Sequence, residues 1–258
     1  MFYLCIYGKI VSVNFFVIQN LLVMWHFGFK AANTPRIYYS LKERIKGMDI
    51  FEKCFNYTDA KEVIKAGLYP YFHALETGQD TEVIINGKRT IMIGSNNYLG
   101  LTSDPRVKNA AIKAVEQFGS GCSGSRFLNG TLTLHLELEK RIASFLKKEA
   151  ALTFSTGYQT NLGIISAIAG RNDYIICDSE NHASIIDGSR LSFAKMLKFE
   201  HNNMQDLERI LSNIDDKHGK LIVVDGVFSM EGDIINLPEV VRLARKYGAK
   251  VMVDDAHG

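Results

Sequence analysis

Proline is scarce in this sequence, four residues among 258, and no tract of it marks a linker between domains. Cysteine is as sparse. Cys5, Cys54, Cys122 and Cys177 stand far apart with no C-x-x-C pair. That spacing fits free thiols in the reducing cytoplasm and argues against a disulfide framework or a zinc site, so no metal is expected. An excess of one charge is missing too: 30 basic against 28 acidic residues give no reason to invoke nucleic acid or an acidic membrane surface. Internal repeats and low-complexity tracts are absent. What the chain does have is apolar mass, 47% of its residues, enough for a large core of one or two domains.

Residues 1–47 form an apolar, aromatic leader interrupted by Lys9, Asn14, Gln19, Asn20 and His26. It lacks the basic start and small-residue cleavage site of a signal peptide. Residues 11–29 are long enough to span a bilayer but carry polar interruptions. The first reading is therefore that Met48 is the natural start; the second is a membrane or interfacial anchor, which would associate the protein with the inner membrane.

From Met48 the text is that of a folded protein. Residues 49–66 read as one amphipathic helix, and residues 81–85 and 90–93, joined by Asn86-Gly87, read as a hairpin. Asp104-Pro105 opens a helix to about Phe118. A glycine-rich loop, 119–130, and a helix over 131–147 follow. Then strands expected at 150–155, 174–178, 196–199, 221–225 and 251–254 alternate with helices at 157–169, 183–191, 204–214 and 238–247. That alternation implies an α/β fold with a mostly parallel sheet covered on both faces. A small lobe is expected over 48–103 and an incomplete large domain over 104–258.

Gly119-Ser120-Gly121-Cys122-Ser123-Gly124 matches G-x-G-x-x-G, but the dinucleotide motif needs a strand before the loop, and the preceding residues are helical in pattern. A loop lining a pocket or a tight interdomain turn are the readings left. Thr156, Gly157 and Tyr158 lie where an expected strand meets a helix, a geometry that suits a phosphate as well as a plain helix cap. His182, Ser229, Asp254 and His257 also fall at or beyond strand ends. Each one alone serves equally as a cap, but together they place polar groups from several elements at the crevice end of the sheet. An acidic residue there, such as Asp254, suits the task of keeping a cofactor's ring nitrogen protonated.

The segments Gly94-Ser95-Asn96-Asn97-Tyr98-Leu99-Gly100-Leu101, Gly121-Cys122-Ser123-Gly124-Ser125-Arg126, Asn181-His182-Ala183-Ser184, Ser229-Met230-Glu231-Gly232 and Asp254-Asp255-Ala256-His257 resemble, in order, the α-oxoamine synthases. These are pyridoxal phosphate (PLP) enzymes of fold type I that condense an amino acid with an acyl-CoA and release CO₂. The resemblance covers about residues 67–258. Ser125 to Thr131 and Tyr69-Pro70-Tyr71-Phe72 look most like the bacterial serine palmitoyltransferases. That implies L-serine and palmitoyl-CoA as substrates and 3-ketodihydrosphingosine as product; glycine or alanine users, such as glycine C-acetyltransferase and 8-amino-7-oxononanoate synthase, are the alternative.

The resemblance also implies roles. His182 would stack on the cofactor ring, Asp254 would pair with its nitrogen, and His257 and Ser229 would bond its phenolic oxygen. Thr156, Gly157 and Tyr158 would serve the phosphate and ring edge. Asn96 would lie near the substrate carboxylate, with Ser125 and Arg126 on the substrate side. A homodimer is implied. The family's Schiff-base lysine lies beyond the D-x-A-H motif, and Lys250 precedes the last strand at the wrong end for that role. The chain is therefore expected to be the N-terminal part of a synthase, inactive alone; a non-catalytic partner subunit of a synthase heterodimer is the rival.

Overall fold

A computed structural model describes residues 50–258; the leader and its expected start site lie outside the described residues. The chain divides into two compact units, one ending at Ile112 and the other running from Lys113 to Gly258.

In the first unit the expected single helix is two, α1 (Glu52–Asn56) and α2 (Asp59–Lys65). Tyr57 between them is extended, and Thr58 Oγ1 donates to Glu62 Oε1 at 3.2 Å. Phe51, Phe55, Val63 and Ile64 are all exposed, so no buried face stabilises a continuous helix, and short helices gain little from propensity alone. Strands β1 (Glu82–Ile85) and β2 (Lys88–Ile91) pair antiparallel. Asn86 and Gly87 both take positive φ, 52° and 69°, the two-residue turn whose twist matches a hairpin. Helix α3 (Pro105–Phe118) opens on Asp104, whose side chain accepts from the Arg106 amide at 2.7 Å. The unit boundary falls inside this helix, whereas the sequence places it near Ser103.

The second unit holds α4 (Thr133–Phe145), α5 (Gly157–Ile168), β3 (Tyr174–Asp178), α6 (Ala183–Leu191), β4 (Lys195–Phe199), α7 (Met204–Ser212), β5 (Lys220–Asp225), α8 (Leu237–Lys246) and β6 (Lys250–Asp254). The strand order is β4-β3-β5-β6, every pair parallel. Because side chains alternate along a strand, Ile176, Ile222 and Val224 pack with Leu207 and Leu211 of α7 and Val240 and Leu243 of α8. The other face, Ile175, Cys177 and Val223, packs with Ile165 of α5 and Ile185 of α6. Strands buried on both sides need apolar residues at every position, which explains why these were legible as short continuous runs.

One expected strand is absent. Residues 150–155 form no strand and join no ladder, and Ser155 lies in a bend. A strand exists only by pairing, and none of the six described strands pairs with this segment; the Thr153 amide donates instead to Glu139 Oε1 at 2.8 Å.

Candidate active site

Strands β3, β5 and β6 each end in an aspartate, Asp178, Asp225 and Asp254, at the carboxyl edge where open α/β sheets bind ligands. Asp225 and Asp254 are direct register partners. The fold assigns the three carboxylates different neighbours, and those neighbours decide what each can do.

Asp254 is held from the side by Asn161, whose Nδ2 donates to Asp254 Oδ2 at 2.7 Å; Oδ1 accepts from the Ala256 amide at 3.1 Å. The same Asn161 amide donates its second proton to Ser184 Oγ at 2.9 Å. Having accepted there, Ser184 has its hydroxyl proton free for His182 Nδ1, 2.7 Å away, and the Ser184 backbone amide also donates to that nitrogen at 3.2 Å. A ring nitrogen that accepts two hydrogen bonds carries no proton, so the His182 proton is on Nε2. The chain Asp254–Asn161–Ser184–His182 thus fixes one carboxylate and one imidazole tautomer together. Asn161 and Ser184 are buried, at 4% and 1% exposure. Helix α6 approaches α5 closely enough for this because residue 188 is glycine: a Cβ there would stand 3.0 Å from the Asn161 carbonyl oxygen.

Asp225 accepts from the His182 backbone amide at 2.8 Å, fixing the start of α6. Burial pushes its carboxyl above the ordinary range; the His182 amide opposes that, and the charge of neighbouring Asp254 adds to it. Asn181 braces the same turn, donating to the Val223 carbonyl at 2.7 Å. Two adjacent carboxylates at one strand edge favour a cationic group, and a protonated heteroaromatic nitrogen is such a group.

Thr156 caps α5, its hydroxyl accepting from the Gln159 amide at 3.1 Å. The amides of Gly157 and Tyr158 open the helix, where N–H groups lack intrahelical acceptors and attract anions. The Tyr158 hydroxyl bonds to Asp187, which holds its pKa above the ordinary tyrosine value, and the ring meets His182 edge-on at 6.2 Å. Ser229 is exposed in the turn after β5, and His257 is half-buried just past β6. Asn96 belongs to the first unit, exposed in the loop after β2.

The glycine loop follows helix α3, not a strand, so it lacks the setting of a dinucleotide site. Gly124 and Gly130 are packed together: a Cβ on Gly130 would stand 1.9 Å from the Gly124 carbonyl oxygen. The Ser125 side chain is exposed, while its carbonyl accepts the Leu128 and Gly130 amides. Arg126, expected on the substrate side, makes a bidentate pair with Glu139 and reaches Thr153 Oγ1 at 3.1 Å. Its guanidinium therefore ties the loop to α4 within this unit.

Glu139 is lowered from an ordinary 4.5 to about 2, first by Arg126 and then by the Thr153 amide. A depressed folded value means the tie is complete above about 4.5 and is lost as pH falls through about 2. Glu139→Gln is expected to speed hydrogen exchange of the 119–130 amides at neutral pH and to remove the acid-dependent loss of protection expected of wild type. Identical profiles for the two proteins would show that the tie contributes nothing to the loop.

Sequence reasoning passed over Asn161, and it gave no role to Ser184 although that residue closes the Asn181-His182-Ala183-Ser184 segment. The available signal was a lone amide in an otherwise apolar helix segment, Asn161-Leu162-Gly163-Ile164-Ile165, since a buried polar side chain needs a partner.

The model of the aminotransferase class I and II family matches residues 88–258, and the chain belongs to that family. Serine palmitoyltransferase from Sphingobacterium spiritivorum is 56% identical over 217 residues, 84% of this chain and 52% of that protein. The 8-amino-7-oxononanoate synthase of Thermoanaerobacter pseudethanolicus is 50% identical over 198 residues, 76% of this chain and 50% of that one. Among solved structures, serine palmitoyltransferase from Sphingomonas wittichii superposes with a TM-score of 0.74 at 42% identity, covering 80% of this chain and 52% of its own. A serine palmitoyltransferase from S. paucimobilis with a bound PLP–myriocin aldimine gives 0.76 at 41% identity, with the same coverage. The chain spans about half the length of these relatives. The fold expected from the alternation of strands and helices, a mostly parallel sheet covered on both faces, is the one observed.

Proposed function

We propose that this chain forms the cofactor-binding part of a PLP-dependent α-oxoamine synthase that condenses L-serine with palmitoyl-CoA to 3-ketodihydrosphingosine. The observation that carries the reading is the Asp254–Asn161–Ser184–His182 chain at the carboxyl edge of the sheet. It presents a fixed carboxylate and an oriented Nε2–H beside a helix N-terminus, a donor set that fits a phosphorylated pyridine. When bound, PLP supplies a protonated ring that draws electrons from the amino acid's α-carbon.

The chain's own residues have separable tasks. Asp254 would hold the proton on the ring nitrogen, and Asn161 keeps its carboxylate from turning away. His182 would cover one ring face with its Nε2–H available to the bound amino acid. The Gly157 and Tyr158 amides and the Thr156 cap would receive the phosphate, and Ser229 and His257 the phenolic oxygen. Ser125 would serve the substrate side. Arg126, committed to Glu139, would act there through the loop it holds.

The choice of serine and palmitoyl-CoA is supported by the 56% identity to serine palmitoyltransferases. The second reading, 8-amino-7-oxononanoate synthase, is supported by identities of 50% and 52% to two such synthases. Assay of the complete synthase, purified as the holoenzyme, with serine, glycine and alanine, each against palmitoyl-CoA and a shorter acyl-CoA, separates them. Serine with palmitoyl-CoA is expected to give the highest kcat/KM, from a homodimer of twice the protomer mass by light scattering. Preference for alanine and the shorter thioester would overturn the assignment.

A further inference from the structure

The third strand-end aspartate belongs to a different constellation. Asp178 is wholly buried, and its Oδ1 accepts from the Glu180 amide and faces His201 Nδ1, each at 2.9 Å; Oδ2 accepts from the Asn202 amide at 2.9 Å. The other ring nitrogen of His201, Nε2, lies 3.0 Å from Asp233 Oδ2. The Phe228 ring, 1% exposed, stands edge-on to the imidazole at 4.5 Å. An imidazole whose two nitrogens both face carboxylates donates from both, and only the imidazolium can do so.

What this cation holds is the loop after β5. The Phe228 amide donates to the Asp233 carbonyl at 3.0 Å and the Gly232 amide to the Phe228 carbonyl at 2.8 Å, closing a tight turn whose exposed members are Ser229, Met230, Glu231 and Gly232. His201 fastens that turn at Asp233. The next residue, Asn202, donates to the Ile234 carbonyl at 3.1 Å and accepts from the Asn236 amide at 3.0 Å. The turn is therefore anchored to the ends of β3 and β4 through two consecutive side chains, and it has no helix or strand of its own.

We infer that His201 is a positioning residue: as an imidazolium bridging Asp178 and Asp233, it fixes the 228–233 turn and with it the presentation of Ser229 at the cofactor site. The link to Ser229 rests on the functional reading above; the clamp itself rests on the geometry alone. The charged groups facing the ring are Asp178 from β3 and Asp233 from the turn, with Phe228 the apolar neighbour. Burial works against the charged ring, but the two carboxylates outweigh it and raise the pKa above the ordinary 6.5. A raised folded value means the clamp is complete below about 6.5 and loosens as pH rises through the higher value.

The test is cleavage at exposed Glu231 by a glutamate-specific protease, normalised to an unstructured peptide at each pH, with PLP affinity measured in parallel. At about pH 6, His201→Gln is expected to be cut about tenfold faster than wild type, the loss of one charge-assisted hydrogen bond. The two rates should converge as pH rises through the raised value and wild type loses the same charge. Asp233→Asn removes the outer carboxylate from a half-exposed position and should behave alike even if the histidine variant folds poorly. Cleavage of both variants at the wild-type rate at low pH would overturn the clamp. A faster cut with unchanged PLP affinity would overturn its link to Ser229. If wild type itself binds no PLP, the functional reading falls, and the cleavage ratio still judges the clamp.

Discussion

Asp254→Ala in the complete holoenzyme is expected to lower kcat/KM on the order of a thousandfold, the scale of losing one preorganised electrostatic partner, while the fold persists. The carboxylate is only half-buried at the end of β6 and closes no core contact, so removing it opens no large cavity. Asn161 loses one acceptor but keeps Ser184. Asp254→Asn is the sharper variant, because it preserves shape and can still accept from Asn161 while carrying no charge. If the carboxylate's task is to keep a ring nitrogen protonated, both variants should lose turnover to a similar degree, since an amide cannot stabilise that proton. Turnover by the asparagine variant near the wild-type rate would mean that Asp254 acts by packing or hydrogen bonding alone, and the cofactor reading of the strand end would fail.

The sheet was legible in the sequence because its strands are buried on both faces. Tyr174–Asp178 is an apolar run with no alternative environment, and α6 begins where Asn181-His182 interrupts it. Residues 150–155 look the same in the sequence and form no strand here, because pairing is a property of a neighbour and not of the segment. The candidate site was half legible for a related reason. Asp254 and His182 announce themselves by chemistry at the ends of elements. Asn161 and Ser184, which join them, are 23 residues apart and meet only because Gly188 lets two helices close. Arg126 shows the converse: a cation in a glycine-rich loop suggests a ligand, yet its partner, Glu139, comes from the next helix. His201 requires three elements at once, and no local pattern encodes that.

Asn161→Ala is expected to separate stability from site geometry. The substitution leaves Ser184 Oγ and Asp254 Oδ2 each without a donor, one wholly buried and one partly so. Each unsatisfied group costs about 1–3 kcal/mol when water cannot reach it. Alanine suits the middle of α5 by helix propensity, so any loss arises from the polar network and the small void, and a fall of about 2–4 kcal/mol in unfolding free energy is expected. The consequence for the site is specific. Without the amide, the Ser184 hydroxyl is free to turn toward Asp254, and His182 Nδ1 loses its firmest donor. Nitrogen NMR of the imidazole should show a single Nε2–H tautomer in wild type and a mixture in the variant. Affinity for PLP should fall about tenfold or more as Asp254 loses its fixed rotamer. Asn161→Asp discriminates further: it places a third carboxylate beside Asp225 and Asp254 and should weaken binding more than alanine does. A variant that is destabilised yet keeps the wild-type tautomer and affinity would reduce Asn161 to a core residue, leaving Asp254 and His182 to be oriented by the bound cofactor itself.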